Sequence, residues 1–341
     1  MIWLTWRQFR VQALVTAVAV GLFAAYMLYL GEDVRHAYSS ARGHCGSGGD
    51  CAPALADFQA RYRDTMLFLA AGLALGIALL GTFWGAPLVA RELETGTHRL
   101  VWNQSVTRRR WLGVKLLSVG LAAVAAAGVA GALLTWAAHP VDEASANRFD
   151  TILFGARNIA PAAYALFAVT LGTVVGLVVR RAVPAIAVTM AAFIAVQFLV
   201  PTMVRPHLVP PKTTTMAMPA DAVNRVRSLG SIGGGAVVGG VTLPDEPGAW
   251  ISGTSALLTA DGRPLGEGRF NACLNSPPKT GAGGRFGDTA VCLGELDLHI
   301  EITYQPGDRY WTFQCLEAGF YLLLSGLLAA FGLWRVRHRL N

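Results

Sequence analysis

Six long apolar runs, separated by polar connections, dominate the chain: residues 11–30, 66–84, 116–136, 158–179, 182–200 and 311–334. Each approaches the roughly 20 residues a helix needs to cross a hydrocarbon core about 30 Å thick. The pattern predicts an all-α membrane protein with six transmembrane helices. Pro184 falls in the first turn of the fifth run, where a missing N–H costs nothing. Glycines four residues apart recur at Gly72/Gly76, Gly81/Gly85 and Gly172/Gly176. Such pairs let helix backbones approach closely, but they do not say which helix is the neighbour.

The connections differ in character. Residues 1–10 mix Trp3, Trp6 and Phe9 with Arg7 and Arg10, which fits an amphipathic helix in the headgroup region or the wet start of the first span. No small-residue cleavage site follows the first run, so no cleavable signal peptide is expected. Residues 31–64 read as a polar loop. Within it Cys45 and Cys51 bracket small residues and favour a short disulfide over a zinc site with His44, since ligands at finger spacing are lacking. Residues 137–157 read as a short connection. Residues 201–310 hold no long apolar run and form a separate region, between the part up to residue 200 and the last span with its tail, 311–341. Its stretch 223–248 looks like irregular loop. Residues 255–265 pair two short apolar runs around the Asp261–Gly262 turn signal, and 296–304 alternate as a strand does. A small β-containing domain is expected there, with Cys273 and Cys292 as a second disulfide candidate.

Charge orients the spans. With the N-terminus inside, residues 1–11, 91–115, 180–181 and 335–341 face the cytoplasm and hold 13 Lys and Arg against only Glu92 and Glu94. That concentration in short loops is the positive-inside pattern. It puts both termini in the cytoplasm, and 201–310 and the four paired cysteines outside, where disulfides persist. The net charge of +7, with 53% hydrophobic and 14% charged residues, then reflects topology and not nucleic-acid binding.

The chain carries no chemistry of its own. It has no GxxxxGK[ST] phosphate loop, HExxH or GxSxG, and its histidines are scattered, so neither catalytic nor metal-ligating residues are expected. Glu317 is the one clear carboxylate inside an apolar run, and the rows of acids that mark a proton relay are missing. If the chain is a transporter, its energy is expected from another polypeptide.

The basic segment 91–115, RELETGTHRLVWNQSVTRRRWLGVK, is where such a partner would dock. Its Arg91-Glu92-Leu93-Glu94-Thr95-Gly96-Thr97 motif, a basic cluster and Lys115 at the entry to the third span resemble the segment after span two in ABC-2-type transporter permeases. These are similar in fold to ABCG exporters. The family commonly has a Pro before the basic cluster; here Gln104-Ser105-Val106 stands in its place. Residues 304–314, YQPGDRYWTFQ, leading to Glu317, resemble the junction into the last span of actinobacterial permeases of this type. The resemblance implies a homodimer of permeases in lipid, each copy docked to a cytoplasmic ATP-binding subunit that carries ATP and Mg. The substrate path would lie between the copies, with export of a drug, antibiotic or lipid-like compound, as in resistance transporters. Two alternatives stay open: an ABC-linked sensing or self-immunity subunit, and an ATPase-free receptor or scaffold with a ligand-binding ectodomain.

Coupling to the ATPase is therefore expected of Arg91, Glu92, Glu94, Gly96, Thr97, Arg99, Arg108, Arg109 and Arg110. Glu92 and Glu94 would pair with a basic ATPase surface or with the segment's own arginines, or else cap a helix start. Gly96 and Thr97 shape a turn. The three consecutive arginines contact the ATPase, anionic headgroups, or both. Gln314 and Glu317, three apart, share a helix face and serve either the exit pathway or a structural polar network. Trp84, Trp102, Trp111, Trp136 and Trp334 are expected to anchor at the membrane interface.

Overall fold

The computed structural model describes residues 2–45, 51–97, 107–145 and 148–338, with side chains for 9–43, 54–97, 107–144 and 148–338. It divides into two compact units, one of helices and one formed chiefly by residues 209–310.

In the first unit, α1 spans Ile2–Cys45 and α2 spans Cys51–Leu80. A π-helical turn at Gly81–Gly85 leads into α3, Ala86–Thr95. Helix α4 spans Arg108–Ser145, α5 Thr151–Gly155, α6 Ala160–Val179 and α7 Ala182–Leu199. Helix α7 runs on through a π turn, Val200–Val204, and a 3-10 turn, Arg205–His207. Among the described residues, six helical segments are long and apolar enough to cross a membrane: Phe9–Gly43, Ala54–Thr95, Arg108–Ala144, Ala160–Val179, Ala182–His207 and Gly307–His338.

These spans outrun their apolar cores. Residues 31–64, expected as a polar loop, are helical on both sides of 46–50. The polar residues there leave an apolar stripe at helical spacing, Met27, Leu30 and Val34 on α1 facing Phe58, Tyr62 and Met66 on α2. Tyr62 donates to Asp33 at 2.6 Å across the same contact. Helix α4 likewise continues into the expected 137–157 connection, as far as Ser145. Residues 2–10 continue α1 without a break, so no separate amphipathic helix precedes the span. The side chains of Cys45 and Cys51 lie outside the described residues.

Helix α6 is the centre of the unit, with 67% of its span buried. Its glycines account for that position. A Cβ on Gly172 would strike the Gly81 carbonyl oxygen, and one on Gly176 the Ala86 carbonyl. In return, a Cβ on Gly85 would lie 2.6 Å from the Val169 carbonyl oxygen. Two of the three glycine pairs thus interlock with each other, backbone against backbone.

The second unit is built on a three-stranded antiparallel sheet. Its strands are β1, Lys212–Ala217, β4, Trp250–Thr254, and β5, His299–Gln305, in the order β1-β5-β4. The expected strand at 296–304 is the central one. The 223–248 stretch is not an irregular loop. It starts at the end of helix α8, Ala220–Arg225, and forms a hairpin of β2, Ser228–Ile232, and β3, Gly235–Gly239. Gly233 and Gly234 both take positive φ, +61° and +82°, as a two-residue hairpin turn requires. The 255–265 turn closes through Thr259 N to Arg263 O at 2.9 Å. Cys273 on α9, Glu267–Asn275, is disulfide-bonded to Cys292 on α10, Gly287–Gly294. In the first turn of α10, the Asp288 carboxylate accepts from the Thr280 hydroxyl and the Ala282 N–H, and these bonds hold its pKa below the ordinary aspartate value. Helix α11, Tyr310–His338, follows and returns the chain to the first unit at Trp311.

Candidate functional site

The helices alternate in direction, so α1, α4 and α7 begin at the end of the bundle where α3, α6 and α11 finish. At this terminal end Val89, Trp111, Leu112, Leu177 and Val336 form a common apolar cluster. The segment singled out by its charge sits here, and the structure divides it by side-chain direction.

Glu92 points inward and is 8% exposed. Its carboxylate meets the Lys115 ammonium at 2.5 Å and accepts from Trp111 Nε1 at 3.1 Å. Lys115, itself 3% exposed, also donates to the Leu88 carbonyl at 3.2 Å. One buried cluster therefore ties α3 to the first two turns of α4. Glu92 is turned into the bundle and paired with Lys115, and Trp111 is a core residue, 1% exposed. Trp84 is buried too, with its ring edge-on to Phe9. Trp136 and Trp334 remain partly exposed.

Glu94 does cap a helix, although not its own: its carboxylate accepts from the Ala182 N–H at 3.0 Å, at the start of α7. Gly96 ends α3 at φ +72°, and the Thr95 and Thr97 hydroxyls lie 3.0 Å apart across it. Arg91 is exposed on α3. Arg109 and Arg110 are exposed on the first turn of α4, with Arg108 half-buried beside them. Arg99 and Trp102 lie outside the described residues. The surface of this end is therefore a set of arginines mounted on two helices that are bolted together beneath it.

A second polar cluster lies toward the opposite end of the bundle. Glu317, one to two turns into α11, is fully buried. It accepts two bonds from Arg205, from Nε at 2.6 Å and from Nη2 at 3.0 Å. The Tyr164 hydroxyl on α6 donates to the same carboxylate. The Arg205 guanidinium also stacks over Phe154, 4.1 Å from the ring centroid. One turn closer to the start of α11, Gln314 donates to the Phe154 carbonyl at 2.9 Å. One turn deeper, Tyr321 donates to Gln197 at 3.1 Å. Four elements of the unit thus converge around one carboxylate. Gln314 and Glu317 do share a face, and both belong to this network. The sequence alone does not reveal Arg205 as the partner, because Pro201 reads as the end of the fifth span. The chain instead carries Pro201 through a π turn, which absorbs the missing N–H and extends the helix by a turn. Another such pair, Arg157 with Asp142 at 2.5 Å, fixes the approach to α6.

No group of three or more His, Cys, Asp or Glu among the described residues could hold a metal ion.

The family model for "ABC-2 membrane transporter related" proteins matches residues 17–205, more than half of the chain. The chain belongs to that family. The matched stretch runs from α1 to Arg205, so it takes in the glycine interlock, the Glu92 cluster and one half of the Arg205–Glu317 pair. ABC-2 permeases are multi-pass membrane subunits of ABC transporters and lack a nucleotide-binding domain of their own; a separate ATP-binding subunit is implied. No curated protein and no solved structure matches the chain.

Proposed function

We propose that this ABC-2 permease is the membrane subunit of an exporter, moving a hydrophobic or amphipathic compound out of the cell with ATP hydrolysed on a separate subunit. Both termini and the 91–115 segment face the cytoplasm, the unit around 209–310 lies outside, and two copies form the working dimer. The sidedness rests on the concentration of basic residues at the terminal end, and the disulfide in the other unit agrees with it.

The observation that carries the proposal is the buried Glu92–Lys115–Trp111 cluster under an arginine surface. A partner pressing on the arginines cannot move α3 without moving α4, because a desolvated ion pair and two hydrogen bonds join them. Helix α3 in turn is locked to α6 through the glycine contacts. Motion delivered at the surface therefore reaches the centre of the bundle as a rigid displacement, which alternating access requires.

The test is purification from native membranes in mild detergent, with mass spectrometry of what accompanies the chain. A stoichiometric ATP-binding subunit is expected, and changing Arg108, Arg109 and Arg110 to Ser should release it while leaving the chain folded. A chain that emerges alone, folded and active in its host, would transfer the case to an ATPase-free receptor. Substrate that binds but is never moved across vesicles by ATP would transfer it to a sensing subunit.

A further inference from the structure

Helix α1 is the least buried span, with only 11% of its apolar window covered. Between it and α2 runs an apolar groove of 660 Å³, walled by Val15, Ala19 and Phe23 on one side and Phe68, Gly72 and Gly76 on the other. Gly72 and Gly76 are the glycine pair that the interlock leaves unused: a Cβ on either meets no atom within 4 Å. From Val11 to Phe23 the groove follows α1 for about 18 Å at 1.5 Å per residue. That is close to the depth of one leaflet, half of a hydrocarbon core of about 30 Å.

At the terminal end the groove meets a polar recess of 340 Å³ lined by Arg91, Glu92, Thr95 and Thr97. The two share Gln12 and Trp84 as lining residues. The Glu92 carboxylate is already committed to Lys115 and Trp111, whereas Arg91 is exposed and has no ionic partner among the described residues. The recess therefore offers an occupant one positive charge, and the groove offers it hydrocarbon.

We propose that this slot is a binding site for an anionic phospholipid of the leaflet at the terminal end, its phosphate on Arg91 and one acyl chain along Gly72 and Gly76. The charge at one end favours a lipid: an acyl chain fills the apolar groove while its headgroup phosphate meets Arg91 in the recess. A guanidinium suits phosphate geometry, and a phosphate at this depth keeps its charge in the headgroup layer while the tail stays in hydrocarbon. Because Arg91 and Glu92 are neighbours on α3, an occupied slot would brace the helix that the coupling cluster holds. The site stands on the groove and its charge alone, independent of transport direction.

The test titrates the delipidated full-length chain in detergent with phosphatidylglycerol or phosphatidylcholine of identical acyl chains, read by native mass spectrometry. Phosphatidylglycerol should bind more tightly. Arg91→Gln should weaken it by about fivefold and leave phosphatidylcholine unchanged, the effect of one basic group near an anionic surface. Gly76→Leu should abolish retention of both lipids by filling the groove. Ala19→Leu, from an exposed position on the facing helix, should do the same and guards against a folding defect at Gly76. Equal retention of both lipids by all variants would overturn the proposal, leaving only annular contact. A shift in the monomer–dimer balance on Gly76→Leu or Ala19→Leu, with lipid retention unchanged, would overturn it in favour of a second copy seated on this face.

Discussion

Glu317 and Arg205 form the most deeply buried ion pair among the described residues. A carboxylate and a guanidinium buried together in a membrane span have given up their water, and each is tolerable only because the other is there. Removing one partner strands a charge. Glu317→Leu should therefore lower stability by about 3–5 kcal/mol, whereas Glu317→Leu combined with Arg205→Met should recover most of that loss. Thermal unfolding of the two variants in detergent, against the parent chain, checks it. A double variant no more stable than the single one would show that the charges act through other neighbours. Only half of this cluster is legible in the sequence. A lone carboxylate in an apolar run is conspicuous by itself, and so is its helical spacing from Gln314. Its partner lies 112 residues away beyond a proline that reads as a stop, and no local pattern encodes that pairing. Glu92 and Lys115 pose the same difficulty at shorter range. Both stand in a segment whose charge reads as surface, and only the packing of α3 on α4 turns these two inward.

At the scale of elements, the six spans are legible because a run of about 20 apolar residues suits a membrane-crossing helix and little else. Their true lengths are hidden, since the extensions at 31–64 are amphipathic and their stripe shows only when each helix is set against the other. The glycine pairs show a similar limit. Gly72/Gly76, Gly81/Gly85 and Gly172/Gly176 are alike in sequence, but two of them clasp each other and the third faces an open groove. That difference yields a direct comparison. Gly172→Val forces branched carbon into the Gly81 carbonyl and should cost about 1–3 kcal/mol or prevent insertion of a folded bundle. Gly76→Val adds the same atoms to empty space and should leave folding intact. Yield of monodisperse protein by size-exclusion chromatography, together with the melting temperature, separates the two. Equal damage from both would mean that the packing of α6 against the Gly81–Gly85 turn is looser than its backbone distances imply.

The whole molecule joins two units of different origin of stability. The helical unit is held by packing in the membrane and by buried ion pairs. The other has its own apolar core, including Phe270, Leu293 and Ile300, together with the Cys273–Cys292 bond. The chain enters it through β1 and leaves through β5, which pair with each other from Lys212 opposite Tyr304. Entry and exit therefore sit on adjacent strands, as they do in domains inserted into a host fold. Residues 209–310 made alone in an oxidising compartment should consequently fold as a soluble unit with a single cooperative transition. Because this fragment lacks Phe149, which stacks on Trp250 at 5.7 Å, it should melt below the same unit within the whole chain and still fold. Replacing Cys273 and Cys292 with Ala should remove about 3 kcal/mol, the value for closing a loop of this size in the unfolded chain. Thermal and denaturant unfolding followed by circular dichroism measure the melting point and the free-energy loss respectively. A fragment that stays unfolded even with its disulfide formed would show that this unit takes its stability from the helices. It would then be a part of the transport machinery in the same sense as the spans, and not a separable domain carried between two of them.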